Sequence, residues 1–205
     1  MSDDHLEQAK ACFLRGLQAF EAADWTQAQT HFEQALLWAP GRTSVMQNLG
    51  ITRLRLGRYA EAEPLLRKVL RAEPEQTDAW QALALTQLQL QQLEAACGSY
   101  ERCFTLGMRS AALYAQYAQC LTRQGRIPEA QRAYQDALAC DANHIASLTQ
   151  LGSLYREAGL YDKAADCFRQ ALAQGADPGV VGYFLAAVTR QEGVSAPPRQ
   201  YVQQL

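Results

Sequence analysis

A strict internal period constrains this chain more than any other feature. The small residues Gly16, Gly50, Ala84, Ala118, Gly152 and Ala186 follow one another at intervals of 34. Ala28, Ala62, Ala96, Ala130 and Ala164 keep the same 34-residue step, and Phe32, Leu66, Tyr100, Tyr134 and Phe168 stand four residues after them. Ala35, Val69, Cys103, Ala137 and Ala171 complete the pattern without insertion or deletion over five periods. A repeat of this length is one supersecondary unit that cannot bury its apolar face alone, so neighbouring copies must stack.

Within each period two segments carry apolar residues at i, i+3, i+4 and i+7, the spacing of an amphipathic helix. Turns separate them at Ala23-Asp24, Gly57-Arg58, Gln91-Gln92, Gly125-Arg126 and Gly159-Leu160. Glycine supplies the positive φ with which a chain commonly leaves a helix. Pro40 and Pro74 sit just beyond second segments and stop them. Gln, Ala, Leu, Glu and Arg dominate, all good helix formers. The expected fold class is therefore all-α, in helix-turn-helix repeats over 9–42, 43–76, 77–110, 111–144 and 145–178. An extension (1–8) precedes them. A capping helix (179–192) follows, with Val181, Leu185, Ala186 and Val188 covering the open end of the last repeat.

The pattern resembles the tetratricopeptide repeat. Its signature is a bulky residue, Leu-Gly or Leu-Ala, Tyr, Ala, an aromatic, Ala and Pro. Met46, Leu49, Gly50, Gly57, Tyr59, Ala62, Leu66 and Pro74 carry it in the second repeat, and Trp80, Leu83, Ala84, Ala96 and Tyr100 in the third. Leu148, Leu151, Gly152, Tyr155, Gly159, Tyr161, Ala164, Phe168 and Ala171 carry it in the fifth. Departures are local: Arg15 replaces a usual Leu, and Met108, Ala142 and Ala176 replace the closing Pro. The resemblance implies a right-handed α-solenoid whose first helices line a concave groove that binds protein or extended peptide.

Residues 193–198 read as a break, after which Pro198 starts a further helix containing Tyr201, Val202 and Leu205. Phe184-Leu185-Ala186-Ala187, this Pro-containing linker and Tyr201-Val202-Gln203-Gln204-Leu205 together are similar to the junction of bacterial proteins that fuse such repeats to an S-adenosylmethionine-dependent methyltransferase. The expectation is that residues 193–205 are a linker and the start of a following domain, and that the parent protein is a methyltransferase. The alternative is a free-standing bacterial adaptor in a secretion, pilus-assembly or envelope pathway.

Catalysis by this chain itself is not expected. Cys12, Cys97, Cys103, Cys120, Cys140 and Cys167 all fall in helical segments without a Cys-x-x-Cys pair, and are read as core or semi-buried thiols. His5, His31 and His144 do not cluster into a metal site, and Gly179-Val180-Val181-Gly182 lacks the strand and Lys-Ser/Thr of a phosphate loop. No cofactor or metal is expected. The net charge of -2, from 19 Lys+Arg against 21 Asp+Glu, argues against nucleic acid or a membrane surface as partner. An acidic N-terminus, no long apolar run and reduced thiols point to the cytoplasm.

The expected groove runs from apolar to basic. Its N-terminal part holds Phe13, Leu17, Phe20, Ile51, Leu54, Leu85 and Leu88. The series Phe20, Leu54, Leu88 then changes to Thr122, Arg156 and Arg190 at the same register, with Arg55 and Arg123 one residue further along their helices. Amides at Asn48, Gln116, Gln119 and Gln150 offer donors and acceptors to a peptide backbone. Residues 1–8, or a second copy of the chain in a homodimer, compete for the apolar end. The carboxylate clamp of chaperone-binding relatives is not expected, because of its five positions (Phe13, Leu17, Asn48, Asp78, Ala82) only Asn48 fits and Asp78 would repel a carboxylate.

Overall fold

The structure is a computed structural model that describes residues 3–192. These residues form helices α1 (Asp3–Glu21), α2 (Trp25–Trp38), α3 (Thr43–Arg55), α4 (Tyr59–Ala72), α5 (Thr77–Gln89), α6 (Leu93–Thr105), α7 (Ala111–Arg123), α8 (Ile127–Cys140), α9 (Ile145–Glu157), α10 (Tyr161–Ala173) and α11 (Pro178–Glu192), with no strand among them. The expected all-α fold of helix pairs is what the chain adopts. α2 and α4 end two residues before Pro40 and Pro74. The tail at 193–205 lies outside the described residues.

The chain divides into two compact units, residues 1–108 and 109–205. In the first, each of α1 to α5 packs on the helix that follows it, and α3 also lies against α5. In the second, α7 to α11 pack in the same succession, with α7 against α9 and α9 against α11. The first unit begins differently from the expected extension: α1 runs unbroken from Asp3, so residues 3–8 prolong the helix instead of folding back over the apolar positions.

All four periodic series meet in the cores, where Ala28, Phe32 and Ala35, and likewise Ala164, Phe168 and Ala171, are wholly buried. Glycine is sterically demanded at two members of the first series, while Ala84 and Ala118 fill the same register in the repeats of Tyr100 and Tyr134. A Cβ built on Gly16 would lie 2.5 Å from the Phe32 ring, and one on Gly152 would lie 2.8 Å from the Phe168 ring. Ala186 departs from its expected place and is exposed. The small position is buried only against the second helix of its own pair, and α11 has no such helix among the described residues. Val181 and Val188 do cover the end of α10 as expected, with Leu185 partly buried beside them.

Two further series share the period and are equally buried: Val45, Ala79, Leu113, Ser147 and Val181, and Thr52, Thr86, Cys120, Leu154 and Val188. Val45 joins the cluster of Ala28, Phe32 and Ala35, and Ala79 joins that of Val69 and Leu70, so this side of a first helix meets the preceding pair. Polar members are buried with their hydroxyls bonded. Thr52 and Thr86 donate to the Asn48 and Ala82 carbonyls at 2.7 Å, and Ser147 shares 2.8 Å with His144 Nδ1. The corresponding residues of α1, Ala11 and Gln18, are exposed, since no helix precedes α1 among the described residues.

The five turns adopt positive φ at one register: Ala23 (57°), Gly57 (73°), Gln91 (61°), Gly125 (75°) and Gly159 (73°). Ala23 and Gln91 hold this left-handed conformation with a side chain, at a cost of roughly 1–2 kcal/mol. Glycine there removes that strain but adds roughly 0.4–1 kcal/mol of unfolded-chain entropy. Ala23→Gly and Gln91→Gly should therefore each stabilise by about 0.5–1 kcal/mol, read as a raised melting temperature. A lowered one would mean that the turn does not use positive φ.

Candidate functional site

The expected groove residues are best followed unit by unit. In the first unit, Phe13, Leu17 and Phe20 are half-buried on α1, beside the cluster of Phe32, Ala35 and Leu49. The Phe13 ring stands 5.8 Å from that of Phe32, and the Phe20 ring meets Trp25 edge-on at 5.0 Å. Ile51 and Leu54 on α3 are half-buried against the cluster of Leu66, Leu70 and Leu83, and Leu85 on α5 is half-buried as well. Each keeps apolar surface in contact with solvent while its inner side is fixed by packing. Arg55 is exposed, its guanidinium 5.9 Å from the Trp25 ring centroid. Asn48 is half-buried and spends one amide donor on the Ser44 carbonyl of its own helix, at 2.8 Å.

Leu88 corrects the expectation. It is fully buried, with 0% of its surface exposed, and is a core residue with nothing to offer a ligand. Its register with Phe20 and Leu54 fixes its direction on the helix, but burial there depends on the neighbouring elements.

In the second unit the first helices α7, α9 and α11 present a polar and basic set. Gln119, Arg123, Gln150 and Arg190 are exposed, and Gln116 is half-buried with a shielded Oε1 that has no partner among the described residues. Arg156 is half-buried, its guanidinium 4.9 Å from the Phe184 ring centroid and 4.0 Å from Glu157 Oε1. Thr122 turns its hydroxyl onto the Ala118 carbonyl at 2.8 Å. Arg156 is thus oriented by an aromatic face, whereas Arg123 and Arg190 extend into solvent.

Three residues outside the expected set belong with the first unit's apolar face. A notch of about 110 Å3 between α1 and α3 is lined by Leu6, Lys10 and Phe13 on one side and by Arg42, Ser44 and Val45 on the other. Lys10 pairs with Glu7 at 3.2 Å. Sequence reasoning missed Leu6 because it set residues 1–8 apart from the repeats, Arg42 because it took groove positions from the helices alone, and Lys10 because it lies outside the registers projected along the first helices.

The thiols follow burial. Cys12, Cys97, Cys103 and Cys120 are buried and Cys167 is half-buried, but Cys140 is exposed at the end of α8, contrary to the expectation of a semi-buried thiol. Burial pushes the Cys103 thiol up to about 11, and that of Cys167 upward, with Asp166 adding to the latter. A raised value keeps the unreactive thiol form at pH 8. Iodoacetamide at pH 8 should therefore label Cys140 first and leave Cys103 unlabelled until the fold opens, as peptide mass mapping would read. Early labelling of Cys103 would refute its burial. No group of three or more His, Cys, Asp or Glu side chains suited to a metal ion occurs among the described residues, and no helix among them is long and apolar enough to cross a membrane.

Two family models described as tetratricopeptide repeat match the chain, at residues 19–86 and 109–174. A third, described as anaphase-promoting complex, cyclosome, subunit 3, matches residues 55–137. No curated protein sequence matches. Among solved structures, residues 41 to the end of MamA from Desulfovibrio magneticus RS-1 superpose with a TM-score of 0.76 at 18% identity, covering 85% of this chain and 96% of that one. A thermophilic TPR protein in Thermus thermophilus gives 0.65 at 21% identity, covering 89% and 99%. YrrB, described as a TPR protein with an unusual peptide-binding site, gives 0.71 at 19% identity, covering 84% and 89%. At these identities the likeness is one of fold.

Proposed function

We propose that this chain, which is built of tetratricopeptide repeats, is a non-catalytic scaffold that binds a protein or an extended peptide on its first helices. The observation that carries the reading is the set of half-buried apolar side chains on α1, α3 and α5, namely Phe13, Leu17, Phe20, Ile51, Leu54 and Leu85. They are rigidly held from behind and open in front, which lowers the entropic cost of using them as contacts. The peptide-binding site in the description of YrrB agrees with this use of the fold. The second unit carries Gln119, Arg123, Gln150, Arg156 and Arg190, a set that by itself suits acidic residues. The reading extends to a cytoplasmic location. A methyltransferase parent draws its support from the resemblance of Phe184-Leu185-Ala186-Ala187, the linker and residues 201–205 to such a junction, and of these residues 193–205 lie outside the described residues.

Peptide display on the immobilised chain tests this directly. Selected peptides should combine apolar and acidic residues. Leu17→Ser with Leu54→Ser should weaken them at least about tenfold at any salt, since each large side chain removed from water is worth roughly 1.5–3 kcal/mol. Arg123→Ala, Arg156→Ala and Arg190→Ala together should weaken them mainly at low salt, where exposed charges are least screened. Selection of no peptide, or of peptides indifferent to the leucine substitutions, would refute the reading. A wild-type dimer that becomes a folded monomer on Leu17→Ser/Leu54→Ser would assign the apolar face to self-association instead.

A further inference from the structure

The first unit carries a second concavity, of about 440 Å3, between α4, α5 and α6. It is lined by Arg67 and Arg71 from α4, Trp80 and Gln87 from α5, and Gly98 and Arg102 from α6, and shares none of its lining residues with the apolar face formed by Ile51, Leu54 and Leu85. Its floor is built. The Trp80 indole N–H donates to the Pro74 carbonyl at 2.8 Å, which fixes the ring, and the Arg102 guanidinium lies 5.7 Å from the ring centroid. Gln87 is 2% exposed. In the amide orientation that satisfies its neighbours, it donates to Ser99 Oγ at 2.7 Å and to the Ala95 carbonyl at 3.1 Å, and accepts from Arg67 at 3.2 Å.

The three arginines are not equivalent. Arg67 is neutralised by Glu63 at 2.8 Å. Arg71 and Arg102 are exposed and have no acidic partner among the described residues; Arg102 makes only a weak 3.4 Å contact with Thr105 Oγ1 besides the ring. A chain with net charge -2 thus places two uncompensated cations beside an anchored indole. Gly98 is the second observation. It sits inside α6, where glycine costs roughly 1 kcal/mol relative to alanine. A Cβ there would meet nothing within 4 Å, and its φ is not positive, so neither packing nor backbone requires glycine. The equivalent second-helix positions carry Thr30, Pro64, Arg132 and Asp166. The missing side chain leaves the mouth of the cleft open.

We propose that this cleft docks an acidic segment of a protein partner, separately from the first-helix face. Carboxylates pair with Arg71 and Arg102, and a neighbouring apolar side chain packs on Leu70, Leu83 and the exposed part of Trp80. Two free cations over a partly apolar floor suit a peptide better than nucleic acid, whose repeated phosphates demand an extended basic track.

The test uses the full chain labelled with 15N and the blocked peptide acetyl-Glu-Leu-Glu-Leu-Glu-amide. Saturable movement of the Trp80 indole signal is expected. At equal ionic strength the Gln-Leu analogue should bind at least about tenfold more weakly, a difference of about 1.4 kcal/mol, and inorganic phosphate should leave the signal in place. Arg71→Ser/Arg102→Ser should abolish the movement. So should Gly98→Gln, which plugs the mouth while favouring the helix and should not lower the melting temperature. Leu17→Ser/Leu54→Ser should retain it. The proposal is overturned if the glutamate peptide gives no saturable movement, if it and the glutamine peptide bind alike, if phosphate moves the signal as strongly, or if both cleft variants bind like wild type. Peptide binding that survives the cleft variants but is lost in Leu17→Ser/Leu54→Ser would leave the scaffold function standing and remove this site.

Discussion

Phe32→Ala and Phe168→Ala should each destabilise their unit by about 3–5 kcal/mol, the usual cost of emptying a buried aromatic site. Both rings are wholly buried and sit where the two helices of a pair approach most closely. Phe168 also stacks on Phe184 of α11 at 5.7 Å, so its removal should expose the amides of α11 to hydrogen exchange before those of α9. The reverse change tests the same contact. Gly152→Ala places a Cβ 2.8 Å from the Phe168 ring. Overpacking of about 1–3 kcal/mol outweighs a helix-propensity gain of about 1 kcal/mol. Gly152→Ala should therefore be harmful beside Phe168 and nearly neutral beside Phe168→Leu. That pairing approximates the Gly50–Leu66 contact, where the added Cβ stands 3.0 Å from a flexible side chain. A double-mutant cycle with no coupling between the two positions would show that the ring does not press on the glycine.

The contrast between these residues and others shows what a sequence of this kind reveals. Gly16 and Phe32 were legible because their size is dictated by a fixed helix-helix distance, so each repeat independently chose small or large. The series through Val45, Ala79, Leu113 and Ser147, and the one through Thr52, Thr86, Cys120 and Leu154, are as deeply buried yet mix apolar with polar residues. Threonine is accepted there because its hydroxyl returns to the carbonyl four residues back, a satisfaction invisible in a hydrophobicity pattern. Ala186 and Cys140 were misjudged for one reason: periodicity gives a side chain's direction, while burial needs an element on that side. The candidate site suffered more. The positions of Leu54 and Arg156 follow from register, but the notch with Lys10 and Arg42 joins a helix to a connection between helices, and the Trp80 cleft depends on a side chain missing at Gly98.

Leu88→Ser should destabilise the first unit by about 2–5 kcal/mol, whereas Leu54→Ser, at the same register one repeat earlier, should cost no more than about 1–2 kcal/mol. The difference comes from exposure alone. Leu88 has no surface in water, so its truncation removes packing on every side, while half-buried Leu54 already has one side hydrated. The new hydroxyl adds little to the cost at position 88, because serine can bond the carbonyl four residues back as Thr86 does at 2.7 Å. Thermal and urea melts of the two variants check this. Equal melting would mean that Leu88 is open to solvent and belongs with the binding face after all. The expected order determines how binding data are read. Loss of peptide binding in a Leu88 variant would report the fold, while loss in a Leu54 variant that keeps its melting profile would report the contact.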